Sequence, residues 1–362
     1  MNDKRDAFSR RMSDILNLGA LNLAMALGYR NRIFDVLEEL GSPATVSEIA
    51  AASGLDARYL REWLGVMATG RVVELSRGPD GEETYLLPPE HAAFLTRKAG
   101  RANLGVYTQE IPLLASSALE PVARGFQTGE GVPFSFYPDF QRFMTELANA
   151  AHRELLVERF IPSVDNGRLK ERLEGGIRVC DLGCGEGVAL NLMARAFPRS
   201  RFTGIDIDEP AVETGRSEAR EVGLGNAEYW VMDAAEIEGL DELSGRFDYI
   251  CAFDAVHDQP RPLEVLRGVR HMLAPGGVFS MVEIDAGSDH AGNLDHPMGP
   301  FLYTVSLMHC MPVGLNDGGE GLGMMWGRER AELMLREAGF EGIEVEEMAH
   351  DPFNTHFLCR VP

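Results

Sequence analysis

The chain has 362 residues, 45% of them hydrophobic and 25% charged, an ordinary globular balance that excludes disorder over most of its length. Lys and Arg number 34 against 56 Asp and Glu, a net charge of −22, whereas nucleic acids and anionic membranes both select an excess of positive charge. The five cysteines (Cys180, Cys184, Cys251, Cys310 and Cys359) are too sparse for a disulfide framework, Met1–Arg11 is charged rather than signal-like, and the uncharged run Met298–Asn316 is broken by His309, Pro312 and two glycines, so a soluble, cytoplasmic protein is expected.

At about 150 residues per domain the length suits roughly two domains. Residues 1–100 carry twelve basic and fourteen acidic residues, so nearly all of the negative charge lies beyond them. In chain order, helical spacing runs over Ile15–Tyr29 and over Arg32–Leu40, the latter closed by Gly41. A third helix follows from Thr45 to Gly54, and Asp56 caps a fourth, Ala57–Thr69, with Tyr59, Leu60, Trp63, Leu64 and Met67 on one face. Two β-like runs, Arg71–Leu75 and Thr84–Leu87, flank a turn-rich Ser76–Gly81. Three helices and a two-stranded wing form a winged-helix pattern over residues 1–99. DNA recognition through Ala57–Thr69 would rest on Arg58 and Arg61 beside Glu62, a thin supply for phosphates, so packing or dimerisation is the expected role.

Residues 100–165 read as a helical connector. Within it, Val132–Met144 is dense in aromatics, and Phe140 and Met144 are candidates for an acceptor-pocket wall, core packing being the alternative. From residue 166 onward, short apolar runs alternate with helical stretches. Strands are expected at Ile177–Leu182, Phe202–Ile207, Ala227–Met232, Phe247–Phe253, Gly277–Ile284, Ile343–Glu347 and His356–Arg360. Helices are expected at Val188–Phe197, Glu209–Val222, Arg261–Leu273 and Arg328–Ala338. This alternation predicts an α/β domain with a mainly parallel sheet.

The first of these strands runs into Asp181-Leu-Gly183-Cys-Gly185-Glu-Gly187 and then directly into a helix. Glycines allow the sharp turn and close backbone approach, and free N–H groups at the helix start favour a nucleotide-type ligand. The dinucleotide spacing G-x-G-x-x-G fails, because Val188 stands where the third glycine belongs. Asp206, ending the second strand, can take both ribose hydroxyls, and Asp233, after the third, can accept an adenine amine.

These motifs resemble the class I S-adenosylmethionine-dependent methyltransferases. The likeness runs from about Gly176 to the C-terminus and includes Val179–Gly187, Gly204–Asp206, Met232–Ala234 and Leu273–Gly277. It implies a Rossmann-like, seven-stranded sheet whose last strand, His356–Arg360, is antiparallel. It also implies that Asp181, Gly183, Gly185 and Gly187 hold the methionine end of the cofactor, Asp206 the ribose and Asp233 the adenine, with Ile207, Ala234 and Phe253 beside them. The whole chain resembles two-domain methyltransferases with an N-terminal winged helix, among them the caffeate-type small-molecule O-methyltransferases, in which that domain mediates dimerisation. A homodimer through the N-terminal domain is the corresponding expectation.

For the chemistry, His257-Asp258 after the fourth strand supplies an imidazole that titrates near neutrality, and the pair resembles the caffeate-type base. Bordering the cofactor is the alternative role for His257, and capping the next helix the alternative for Asp258. The long insertion 285–327 reads as a lid or acceptor pocket, with Tyr303, Met308 and His309 as candidate contacts. Its histidines and Cys310 match no metal-site spacing, and no metal is expected. The expected activity is methylation of a small, partly hydrophobic acceptor at oxygen. A non-catalytic winged-helix regulator sensing the same cofactor is the rival reading.

Overall fold

The computed structural model describes residues 2–361. The chain divides into two compact units, Met1–Ser116 and Ser117–Pro362.

The first unit opens with a long helix, α1 (Asn2–Arg30), followed by α2 (Ile33–Leu40), α3 (Val46–Ser53) and α4 (Ala57–Thr69). Thr45 closes a full capping box with Glu48 on α3, and the Asp56 carboxylate accepts from the amides of Arg58 and Tyr59 at the start of α4. The core is Phe34, Leu37, Ile49, Leu60, Leu64 and Met67. The Trp63 indole meets Phe34 edge-on and donates from Nε1 to Ala24 O at 2.8 Å. Gly28 makes room for it, since a Cβ there would sit 2.3 Å from the indole ring. The wing is β1 (Glu74–Arg77) paired antiparallel with β2 (Glu83–Leu86). Its first strand starts three residues later than the sequence pattern suggests. Arg71 turns left-handed (φ 57°), and the amides of Val72 and Val73 both donate to Met67 O, so Arg71–Val73 closes α4. Helix α1 likewise extends well before Ile15. Its first turns bury no apolar face and so lack the periodic signal that sequence reading depends on.

The second unit holds a seven-stranded sheet of β3 (Arg178–Leu182), β4 (Arg201–Asp206), β5 (Ala227–Val231), β6 (Phe247–Phe253), β7 (Leu273–Ile284), β8 (Gly342–Glu347) and β9 (Asn354–Arg360). The order is β5-β4-β3-β6-β7-β9-β8, and β9 runs antiparallel to both of its neighbours. Apolar clusters cover both faces: Leu266, Met272 and Phe357 on one, Leu190, Phe202 and Tyr249 on the other. Successive crossovers leave β3 in one direction and resume at β6 in the other. The carboxyl ends of β3 and β6 therefore flank the crevice where ligands bind in such sheets. Helices Glu110–Thr128 and Pro138–Leu155 precede the sheet. The insertion after β7 folds into helix Gly299–Val305, a π-helical turn Ser306–Cys310 and a short helix Met311–Gly314. It is tied to the aromatic segment: the Val132 amide donates to Pro312 O, and Asn316 Nδ2 donates to Val132 O. No helix among the described residues is long and apolar enough to cross a membrane.

Candidate active site

The loop after β3 lies at the mouth of that crevice. Gly183, Gly185 and Gly187 all take positive φ (71°, 51° and 69°). A Cβ at Gly187 would meet the Tyr229 ring at 2.4 Å, whereas one at Gly185 would project into open space. The loop is pinned from beneath by the amides of Gly183 and Cys184 donating to Ile205 O. Asp206 spans its base, one carboxylate oxygen accepting from the Gly185 amide at 2.8 Å and the other from the Asp208 amide at 2.9 Å. Burial outweighs these bonds and raises the Asp206 pKa.

Asp181 is buried beneath the loop. Its Oδ1 takes a weak bond from Cys251 Sγ, and its Oδ2 has no partner. Burial pushes this carboxyl up to about 7. A cavity of about 130 Å³ opens here between Asp181, Gly183–Glu186 and Phe253 on one side and Thr145, Asn149 and His152 on the other. These last three stand at helical spacing on Pro138–Leu155 and were not anticipated. The signal was present as the polar continuation of the aromatic stripe that ends at Met144. Burial lowers the His152 pKa to about 4, so the imidazole is neutral. Asp233 caps a 3-10 turn through the Ala235 amide and pairs with Arg261 at 2.8 Å. Ile207 is exposed, and Ala234 begins the turn that Asp233 caps.

The second cluster surrounds His257, itself only 3% exposed. Its Nδ1 contacts Glu283 Oε2, while Glu283 also accepts from the Val256 amide at 3.1 Å and from Trp326 Nε1 at 3.4 Å. Asp258 Oδ1 lies 3.4 Å from His257 Nε2 without hydrogen-bond geometry. The helix that follows begins at Pro262 and takes no cap from Asp258. Burial works against the imidazolium, yet the charges of Glu283 and then Asp258 hold the His257 pKa well above its usual value. Glu283 was missed from sequence, although an acid inside the apolar run Met281–Ile284 is itself a signal, because a buried carboxylate requires a partner.

The expected acceptor contacts separate into two places. The His309 ring is buried against Tyr137 and Phe140, with centroids 4.8 Å from each, and its Nε2 has no partner. Met308 is buried, and Met144 is half-buried on the connector helix. Tyr303 instead lines a cavity of about 550 Å³ with Leu307, Met311, Met325 and Trp326.

A glycine loop after the first strand, an acid at the end of the second and a crevice at the sheet's switch point define a nucleotide-cofactor enzyme of the class I methyltransferase fold. Comparison with known proteins agrees. Residues 19–97 match the family of Rv2258c-like winged HTH domains, and residues 173–299 match a methyltransferase domain. The ubiquinone biosynthesis O-methyltransferase of Pseudomonas aeruginosa is 24% identical over 188 residues, half of this chain and 72% of the relative. The 24-methylenesterol C-methyltransferase 2 of Oryza sativa is 23% identical over 316 residues, 85% of this chain and 79% of the relative. The crystal structure of human N-acetylserotonin methyltransferase in complex with SAM superposes with a TM-score of 0.64 at 17% identity, covering 98% of this chain and 97% of that one. The chain thus joins an N-terminal winged-helix domain to a methyltransferase domain of the class I fold, and its enzymatic class is S-adenosylmethionine-dependent methyl transfer.

The residues present fit the cofactor. The unpartnered Asp181 Oδ2 faces a loop whose central glycine leaves open space, the environment that an ammonium group and a close-lying backbone require. When bound, S-adenosylmethionine supplies an electrophilic methyl group.

Proposed function

We propose that the chain methylates a small, partly hydrophobic molecule at a hydroxyl oxygen, with His257 as general base. The observation that carries this reading is the buried couple of His257 with Glu283, a carboxylate that fixes the imidazole through Nδ1 and directs Nε2 away from it. A base so held accepts the hydroxyl proton as the oxygen attacks, and the carboxylate stabilises the imidazolium that results. Asp181 and the glycine loop are the residues proposed to hold the methionine end of the cofactor, Asp206 the ribose and Asp233 the adenine. The acceptor class is supported by the 550 Å³ cavity, where Leu307, Met311, Leu322 and Met325 supply apolar wall and His290, Tyr303, Glu320 and Arg330 supply polar groups, and by Trp326, which belongs both to its wall and to the Glu283 environment. His257→Ala should keep cofactor affinity within about threefold and lower turnover by about 10²–10⁴. Calorimetry and a methyl-transfer assay over phenolic and carboxylic acceptors check both, and undiminished turnover with the true acceptor refutes the role.

The partner reading is a homodimer through the N-terminal domain, with no nucleic acid and no membrane. It is supported by an exposed apolar stripe on α1 formed by Phe8, Met12, Ile15, Leu16, Leu23 and Leu27, and by α4, whose Arg58 is already paired with Glu62. Leu16→Glu should convert the dimer to a monomer in sedimentation. A wild-type monomer at micromolar concentration removes the reading. The five unpaired cysteines suit a reducing, cytoplasmic setting.

A further inference from the structure

Glu283 engages His257 through Nδ1 alone, so Nε2 serves a different set of groups. Asp258 Oδ1 and Cys310 Sγ gather there, and the three atoms lie within 4.8 Å of one another. They come from segments far apart in sequence. His257 and Asp258 lie in the turn after β6, and Cys310 ends the π-helical turn Ser306–Cys310 of the insertion. Such turns insert an extra residue into a helix and are frequent at functional sites. This one also carries His309, which is 6% exposed, has an unpartnered Nε2 and feels the charges of Asp258 and His257.

Asp258 Oδ1 is buried with no nitrogen or oxygen donor, and the Cys310 thiol is the weak donor it shares with His257 Nε2, so a cation in place of the thiol proton would satisfy all three groups at once. A ligating histidine usually gives its other ring nitrogen to a carboxylate, and Glu283, held by the Val256 amide and Trp326, already plays that part. One thiolate, one imidazole and one carboxylate suit zinc rather than magnesium or calcium. Tetrahedral zinc with bonds of about 2.0–2.3 Å needs its ligand atoms about 3.3–3.8 Å apart, so side-chain rotation of about 1 Å closes the set.

We propose that His257 Nε2, Asp258 Oδ1 and Cys310 Sγ form a three-ligand, zinc-class cation site with the fourth coordination position left open, and that filling it switches methyl transfer off. Binding releases two protons to solvent, one from the Cys310 thiol and one from Nε2 of the imidazolium, and the metal then occupies the Nε2 lone pair that proton abstraction requires. The inhibitory part rests on His257 being the base; the metal site itself does not.

The test uses full-length protein freed of metal by chelation. Titration with Co²⁺ should raise a thiolate-to-cobalt charge-transfer band, and Zn²⁺ should displace it while Mg²⁺ does not. Cys310→Ser should abolish the band and weaken Zn²⁺ binding at least tenfold by calorimetry. Zn²⁺ at stoichiometric occupancy should cut wild-type turnover at least tenfold and spare Cys310→Ser. A missing band, or Zn²⁺ affinity indifferent to Cys310→Ser, overturns the site. Turnover unchanged or raised at full occupancy overturns the inhibition alone. Because the cobalt band needs no turnover, failure of the base reading is separable from failure of the metal site.

Discussion

Replacing Glu283 by glutamine removes one buried negative charge at nearly constant shape; the glutamine oxygen can still accept from His257 Nδ1, while its NH2 turns toward the Val256 amide, which loses its acceptor at a cost independent of pH. The charge matters because burial disfavours the imidazolium and Glu283 is the foremost group opposing that. Two unit charges about 4 Å apart at an effective dielectric of about 20 interact by about 4 kcal/mol, equivalent to about 3 pH units. The retained hydrogen bond and the remaining Asp258 charge return part of this, leaving an expected shift of at least about one unit. If His257 Nε2 takes the acceptor proton, turnover rises with pH as the imidazolium is lost. That limb lies above about 6.5 in the wild type and moves to lower pH in Glu283→Gln. The assay is a pH series of kcat with chelator present. An unmoved limb with turnover retained refutes the assignment of the titrating proton to His257. The same couple links to stability. A raised histidine pKa contributes stabilisation that is fully present below the unfolded value of about 6.5 and is lost as pH rises through the folded value. Glu283→Gln should therefore lower Tm more at pH 6 than at pH 9, and an equal loss at both refutes the charged pair.

Asp206→Ala frees both the Gly185 and Asp208 amides and should weaken S-adenosylmethionine binding about tenfold to a hundredfold by calorimetry, with Tm changed by only a few degrees. The glycine loop offers a paired contrast. Gly187→Ala meets both a left-handed backbone and the Tyr229 ring at 2.4 Å, and should lower stability by about 3 kcal/mol or more in urea unfolding. Gly185→Ala has open space around it and should cost only about 1–2 kcal/mol while still obstructing cofactor binding; equal costs at the two positions would refute the steric account.

Legibility followed the range of the interactions. The strands from Arg178 onward were readable to within a residue or two at most ends, because buried parallel strands are short apolar runs bounded by turns. The exception is the start of β7, where Leu273 alone pairs with Phe247 of β6 and the strand bulges through Ala274–Gly277 before pairing resumes at Val278. Residues Arg71–Val73 looked like a strand by composition, yet Met67 O captured two of their amides. The insertion gave no periodic signal at all. Its shape depends on the π-helical turn and on Val132, a partner remote in sequence, whose amide donates to Pro312 O and whose carbonyl accepts from Asn316 Nδ2.

The local pattern by itself determined the two-part architecture, the strand-glycine loop-helix unit and the acids at the ends of β4 and β5, since each depends on neighbours a few residues apart. Tertiary structure alone decided the surroundings of His257. Glu283 reaches it from 26 residues away, Trp326 bonds that glutamate from 43 residues further on, and Cys310 and His309 arrive on a helix whose extra residue no spacing rule reveals. A buried carboxylate must find its partner wherever packing places one, so the same acid that looked anomalous in an apolar strand became the group that orients the proposed base.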